Sequence, residues 1–135
     1  MHSAIETPAI SNSALWTGRV LSGLVIAFLI FDAVIKLVPL QVVIDTTAAL
    51  GFPPELARTL GVLTLACTVL YAWPRTAVLG AILLTGYLGG AIAIHVRIGN
   101  PLFTHTLFGV YLGLMLWGGL YLRNVRLRAL IPFVR

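Results

Sequence analysis

Charge is what this 135-residue chain has least of: nine Lys and Arg and four Asp and Glu, 10% of its residues. A soluble domain carries about a quarter charged residues. So few charges cannot cover a water-facing surface, which excludes a soluble globular enzyme and a disordered tail. A nucleic-acid-binding domain is excluded too, because it needs basic residues gathered on one exposed face. Cysteine is almost missing. Cys67 stands alone, so there is neither an intramolecular disulfide nor a CxxC redox pair. No HExxH spacing and no dinucleotide-binding glycine fingerprint occurs. The sequence therefore indicates no covalent or metal cofactor. No Lys or Arg precedes Arg19, and no A-x-A-like site follows the first apolar run. That run reads as a membrane span and not as a cleavable leader.

What is present is apolar length. Hydrophobic residues make up 59% of the chain. A membrane helix needs about 20 mostly apolar residues, and four runs meet or approach that length, at residues 16–40, 56–73, 76–96 and 104–122. Pro39, Pro53-Pro54, Pro74 and Pro101 sit at the joints, where helices end. The runs are continuous and do not alternate, which argues against a β-barrel. The expected fold is all-α: an integral membrane antiparallel four-helix bundle with a short interfacial helix between helices 1 and 2. That short helix occupies the joint from Gln41, with Gly51 as its C-terminal cap. Residues 1–15 read as a flexible arm, 16–122 as the bundle and 123–135 as a basic cytoplasmic tail.

Four spans place both termini and Arg75 on one side. That side holds Arg19, Arg75, Arg123, Arg126, Arg128 and Arg135, against Lys36, Arg58 and Arg97 on the other. Lys and Arg favour cytoplasmic loops, so both termini are expected in the cytoplasm. The acids Asp32, Asp45 and Glu55 cancel the bases of the outer side, so the whole net charge of +5 falls on the cytoplasmic one. The run Arg123–Arg128 then reads as an anchor in anionic headgroups.

Ionisable residues inside a span are costly and are paired or functional. Asp32 and Lys36, four apart on one face of the first span, have the spacing of an ion pair. Glu55 and Arg58 open the second span, His95 and Arg97 close the third, and His105 opens the fourth. All gather at the outer end. They define a candidate ligand-binding pocket of Asp32, Lys36, Glu55, Arg58, His95, Arg97 and His105. Each has a plainer alternative: a structural ion pair for Asp32 and Lys36, helix-dipole partners for Glu55 and Arg97, interface residues for the two histidines. His95 and Arg97 also point about 200° apart on one helix. Gly86 and Gly90, and Gly109 and Gly113, match GxxxG and are expected at helix-packing seams. Trp16, Tyr71, Trp73, Trp117 and Tyr121 read as an aromatic belt, and Tyr87 and Tyr111 as deeper residues bonding a carbonyl or lining a cavity. Cys67, mid-span, reads as inert.

The run Thr85-Gly86-Tyr87-Leu88-Gly89-Gly90-Ala91, then His95-Val96-Arg97-Ile98-Gly99-Asn100-Pro101 through His105, resembles the DoxX-like family. Gly109–Gly113, Trp117–Arg123, Phe31-Asp32 and Lys36-Leu37 extend the likeness over residues 17 to 132. The resemblance implies a small multi-pass bundle of the bacterial inner membrane. Some relatives serve as membrane subunits in quinone-coupled sulfur or thiol redox. It carries over no catalytic residue.

Three functions follow as expectations. The first is a membrane component of a redox system, with a quinone headgroup or small polar substrate in the outer pocket and electrons supplied by a partner protein. The second is a small-solute transporter or binding protein, its pathway supplied by a homo-oligomer. The third is a non-catalytic assembly subunit. The lipid bilayer is a partner in all three, and nucleic acid in none.

Overall fold

The structure is a computed structural model that describes residues 11–38, 40–53 and 55–130, with the side chains of residues 105 and 106 outside the description. Ser11 opens the first helix, its side chain accepting from the Ala14 amide at 3.2 Å. Helix α1 runs over Asn12–Leu37. It starts earlier than the expected span and overlaps the expected arm, of which residues 1–10 lie outside the described residues. It also stops before Leu40. Val38 is extended (ψ 116°), as the residue before a proline must be.

Helix α2 covers Gln41–Ala49. Gly51, at φ +90°, closes it as expected, with its amide on the Ala48 carbonyl and the Phe52 amide on that of Thr47. Helices α3 (Leu56–Ala72) and α4 (Ala77–Arg97) follow. Their joint is tight: Thr76 Oγ1 donates to the Leu70 carbonyl at 2.7 Å. A second left-handed glycine, Gly99 (φ +73°), caps α4, with the Asn100 amide bonded to the His95 carbonyl.

After Pro101 the chain forms a π-helical segment, Leu102–Thr106, before helix α5 (Phe108–Arg123). The fourth expected span therefore divides in two. The residues expected as an unstructured tail begin instead with helix α6, Val125–Leu130. Asn124 caps it through Oδ1 and the Leu127 amide at 2.9 Å, and Leu127 is buried. Residues 131–135 of that tail lie outside the described residues.

The described residues thus form six α-helices and one π-helical segment, with no strand. Helix α1 packs on α3 and α5, and α4 packs on the same two. Lys36 lies against Gly61, Tyr71 against Gly80, Ile92 against Gly109, and Gly18 against Gly119, so each packed pair runs antiparallel. The core they share is a stripe of Val25, Leu29, Tyr71, Leu84, Leu116 and Leu120. Outward the helices present apolar side chains: Trp16, Phe31, Trp73 and Leu114 are between 62% and 68% exposed. Three stretches, Asn12–Leu37, Ala77–Arg97 and Leu102–Arg123, are long and apolar enough to cross a membrane. Apolar α3 is shorter, at 17 residues, the lower limit of about 17–25 for a span.

Candidate functional site: a cavity at one end of the helices

Asp32 and Lys36 meet one turn apart on α1, with Nζ 2.6 Å from Oδ2. Their side chains are 26% and 19% exposed. Lys36 then reaches across the helices to α4, where Nζ donates to Tyr87 Oη at 3.0 Å. A cavity of about 370 Å³ opens beside these groups. Its polar lining includes Asp32, Lys36, Tyr87, Thr46, Thr47 and His95. Phe28, Leu29, Leu60, Leu88, Ile92, Phe108 and Leu112 make it mostly apolar. Phe28 and Phe108 touch edge to face, with centroids 5.2 Å apart.

Helix α2 forms one wall, through Val42, Val43, Thr46 and Thr47. That role was not foreseen. The joint reads in sequence as a helix lying in the interface, and periodicity cannot tell whether its apolar face meets lipid or its own bundle. Thr46 and Thr47 turn their hydroxyls back to the Val42 and Val43 carbonyls at 2.7 Å, which satisfies them within the helix.

The expected pocket residues separate into those at the cavity and those away from it. Asp32, Lys36 and His95 line it. Nδ1 of His95 lies 2.6 Å from the Asn100 side-chain amide nitrogen, which donates to it and leaves the ring proton on Nε2. Glu55 and Arg58 are exposed at the start of α3 and do not line the cavity. Arg58 borders a shallow outer depression instead, with Val62 and Ala66. Arg97 is exposed, and its Nη2 points to the Leu50 carbonyl at 3.4 Å, just past the end of α2. Helix α4 continues through Arg97, so His95 and Arg97 do diverge. The backbone of His105 belongs to the π-helical segment. Its side chain is outside the described residues.

The glycine seams fall elsewhere than GxxxG spacing implies. A Cβ on Gly109 would press on Ile92 at 2.9 Å, but one on Gly86, Gly90 or Gly113 would meet nothing within 4 Å. The close approaches are at Gly18, Gly61, Gly80, Gly109 and Gly119.

Tyr71 is likewise no belt residue: it is fully buried. Its hydroxyl donates to the Leu116 carbonyl at 2.6 Å. With that proton committed, Ser22 must be the donor in its 3.0 Å bond to Tyr71 Oη. Arg123 Nε donates in turn to Ser22 Oγ at 2.9 Å. This one-way chain ties α1, α3 and α5 together at the end away from the cavity. Ser22, a polar residue within an apolar run, was its one signal in the sequence. Trp117, also expected in the belt, donates from Nε1 to Thr85 Oγ1 at 2.7 Å. Among the described residues no group of three or more His, Cys, Asp or Glu is placed to hold a metal ion.

Helices long and apolar enough to cross a membrane, with apolar side chains on their outer faces, mark a membrane protein. The family comparison agrees: the model of the DoxX-like family matches residues 20–119, and the chain belongs to that family. Neither the curated proteins nor the solved structures contain a match.

Proposed function

We propose that this chain is a four-helix bundle of the bacterial inner membrane, with both termini cytoplasmic, serving as the membrane component of a redox system. Its cavity would hold the headgroup of a membrane-soluble ligand of the quinone class. One observation carries the reading: an apolar cavity of about 370 Å³ with an ammonium, a carboxylate, a phenol and an imidazole along its lining. That is the composition of a small-molecule site, which is mostly apolar with a few polar groups that fix orientation. The ionisable pair lies within a span, where such groups are costly and mark functional sites. His95 adds an imidazole, a group that can both donate and accept a hydrogen bond, and quinone reduction takes up protons. The described residues offer no electron carrier of their own, so a partner protein would supply the electrons.

The test is what the protein carries out of the membrane. Protein purified in native lipid discs is extracted with organic solvent and the extract analysed by mass spectrometry. The reading expects a quinone near one per chain, lost in Lys36→Met with the fold retained. A quinone content equal to that of the surrounding lipid, unchanged in Lys36→Met, refutes it.

A further inference from the structure

The proton count at Lys36 and Tyr87 narrows the ligand class; this step rests on the reading that the cavity holds a ligand. An ammonium has three N–H donors. One goes to Asp32 and one to Tyr87. Tyr87 Oη is therefore an acceptor in that bond, and its own O–H proton remains. Among the described residues, neither that proton nor the third proton of Lys36 has an acceptor. The two donor atoms are 3.0 Å apart and both side chains line the cavity. A single oxygen placed within about 2.7–3.0 Å of each would receive both protons.

Charge decides what kind of oxygen. Asp32 already neutralises Lys36 at 2.6 Å, so the donor pair carries no net charge. An anionic ligand would bring a charge that the already neutral pair does not balance, and burying an unbalanced charge in a mostly apolar cavity is strongly unfavourable. A cationic ligand brings no acceptor and meets Lys36 first. We infer that the cavity selects a neutral amphiphile whose polar end is a carbonyl oxygen, held jointly by Lys36 Nζ–H and Tyr87 Oη–H. The Phe28, Leu88 and Phe108 walls would take its apolar part.

The probe is methyl nonyl ketone with an isotope-labelled carbonyl, with undecane and undecanoate as matched controls. Infrared spectra of the protein in lipid discs would show a saturable carbonyl band, shifted to lower frequency than the ketone dissolved in lipid. Tyr87→Phe removes one donor. It should move the band about halfway back and weaken the ketone about three- to tenfold, the usual worth of a hydrogen bond. Undecane affinity, read from the rise in unfolding temperature, should not change. If undecane binds saturably but the ketone binds no tighter and its band stays at the lipid position, the carbonyl inference fails and the cavity reading stands. If undecanoate outcompetes the ketone, the neutral class is wrong. If neither ketone nor undecane binds saturably, the cavity reading falls and this inference with it.

Discussion

Replacing Asp32 with Asn, Lys36 with Met, and both together, separates the energy of their contact from that of each residue alone. The pair is 2.6 Å apart, so the bond is short and charge-assisted. Its side chains are 26% and 19% exposed, which places it between two measured regimes. Exposed pairs contribute about 0.2–1 kcal/mol. Breaking a fully buried pair costs about 3–5 kcal/mol, because one charge is stranded. Hydrogen bonds to charged groups lie between, at about 1.5–3 kcal/mol, and that is the coupling expected here. Each single change leaves a charge without its counterion beside an apolar cavity, whereas the double change leaves none. Lys36→Met also deprives Tyr87 of its donor, so it should be the worse single. Thermal or denaturant unfolding in detergent gives the three losses. The double variant should be more stable than either single. Losses that add to within about 0.5 kcal/mol would show that the two residues do not interact and would refute the reasoning.

Tyr71→Phe removes the central hydroxyl of the Ser22–Tyr71–Leu116 chain in a fully buried site. It should cost about 1–3 kcal/mol in the same unfolding assay. Gly80→Ala would drive a Cβ into the Tyr71 backbone, which cannot yield, so a loss of about 1–3 kcal/mol is expected from overpacking. Gly86→Ala, where a Cβ meets nothing within 4 Å, should leave the unfolding temperature level or raise it. In a Cys67→Ala background, an impermeant maleimide added to intact cells should label Asp45→Cys and spare Arg75→Cys; the reverse would invert the proposed orientation.

Two helix ends were legible because they follow from local chemistry. Pro39 forces Val38 out of the helix, and Gly51 supplies the left-handed turn after α2. The spacing of Asp32 and Lys36 put them on one face, and they meet. What sequence could not give is the rotation of each helix about its axis. GxxxG marks a face that permits close approach, but it does not say that a neighbour lies there. Hence Gly109 is packed while Gly86, Gly90 and Gly113 are not. The same ignorance concealed Tyr87 as the partner of Lys36, since the two are 51 positions apart and joined only once the helices pack. Charge alone was a poor guide to the cavity. Glu55, Arg58 and Arg97 share its end of the bundle but sit on outer surfaces, where a charged head reaches water at little cost.

The two ends of the bundle are built differently, and the difference explains where a ligand site could arise. At the end holding the N-terminus of α1, backbones approach so closely at Gly18, Gly80 and Gly119 that no Cβ fits. The Arg123–Ser22–Tyr71–Leu116 chain then satisfies the buried polar groups there. At the other end the helices also touch, at Gly61 and Gly109, but a cavity opens beside Tyr87, α2 forms one of its walls, and the π-helical segment precedes α5. Such π segments are frequent at functional sites. A binding site needs side chains held in fixed positions by structure that does not itself have to move. Here the closed end supplies the rigidity, and the Lys36 bridge from α1 to α4 fixes the donors at the open one. A residue that loosened the closed end would therefore act on the cavity through α1, from its buried Ser22 to its ion pair at Asp32 and Lys36, without touching the ligand.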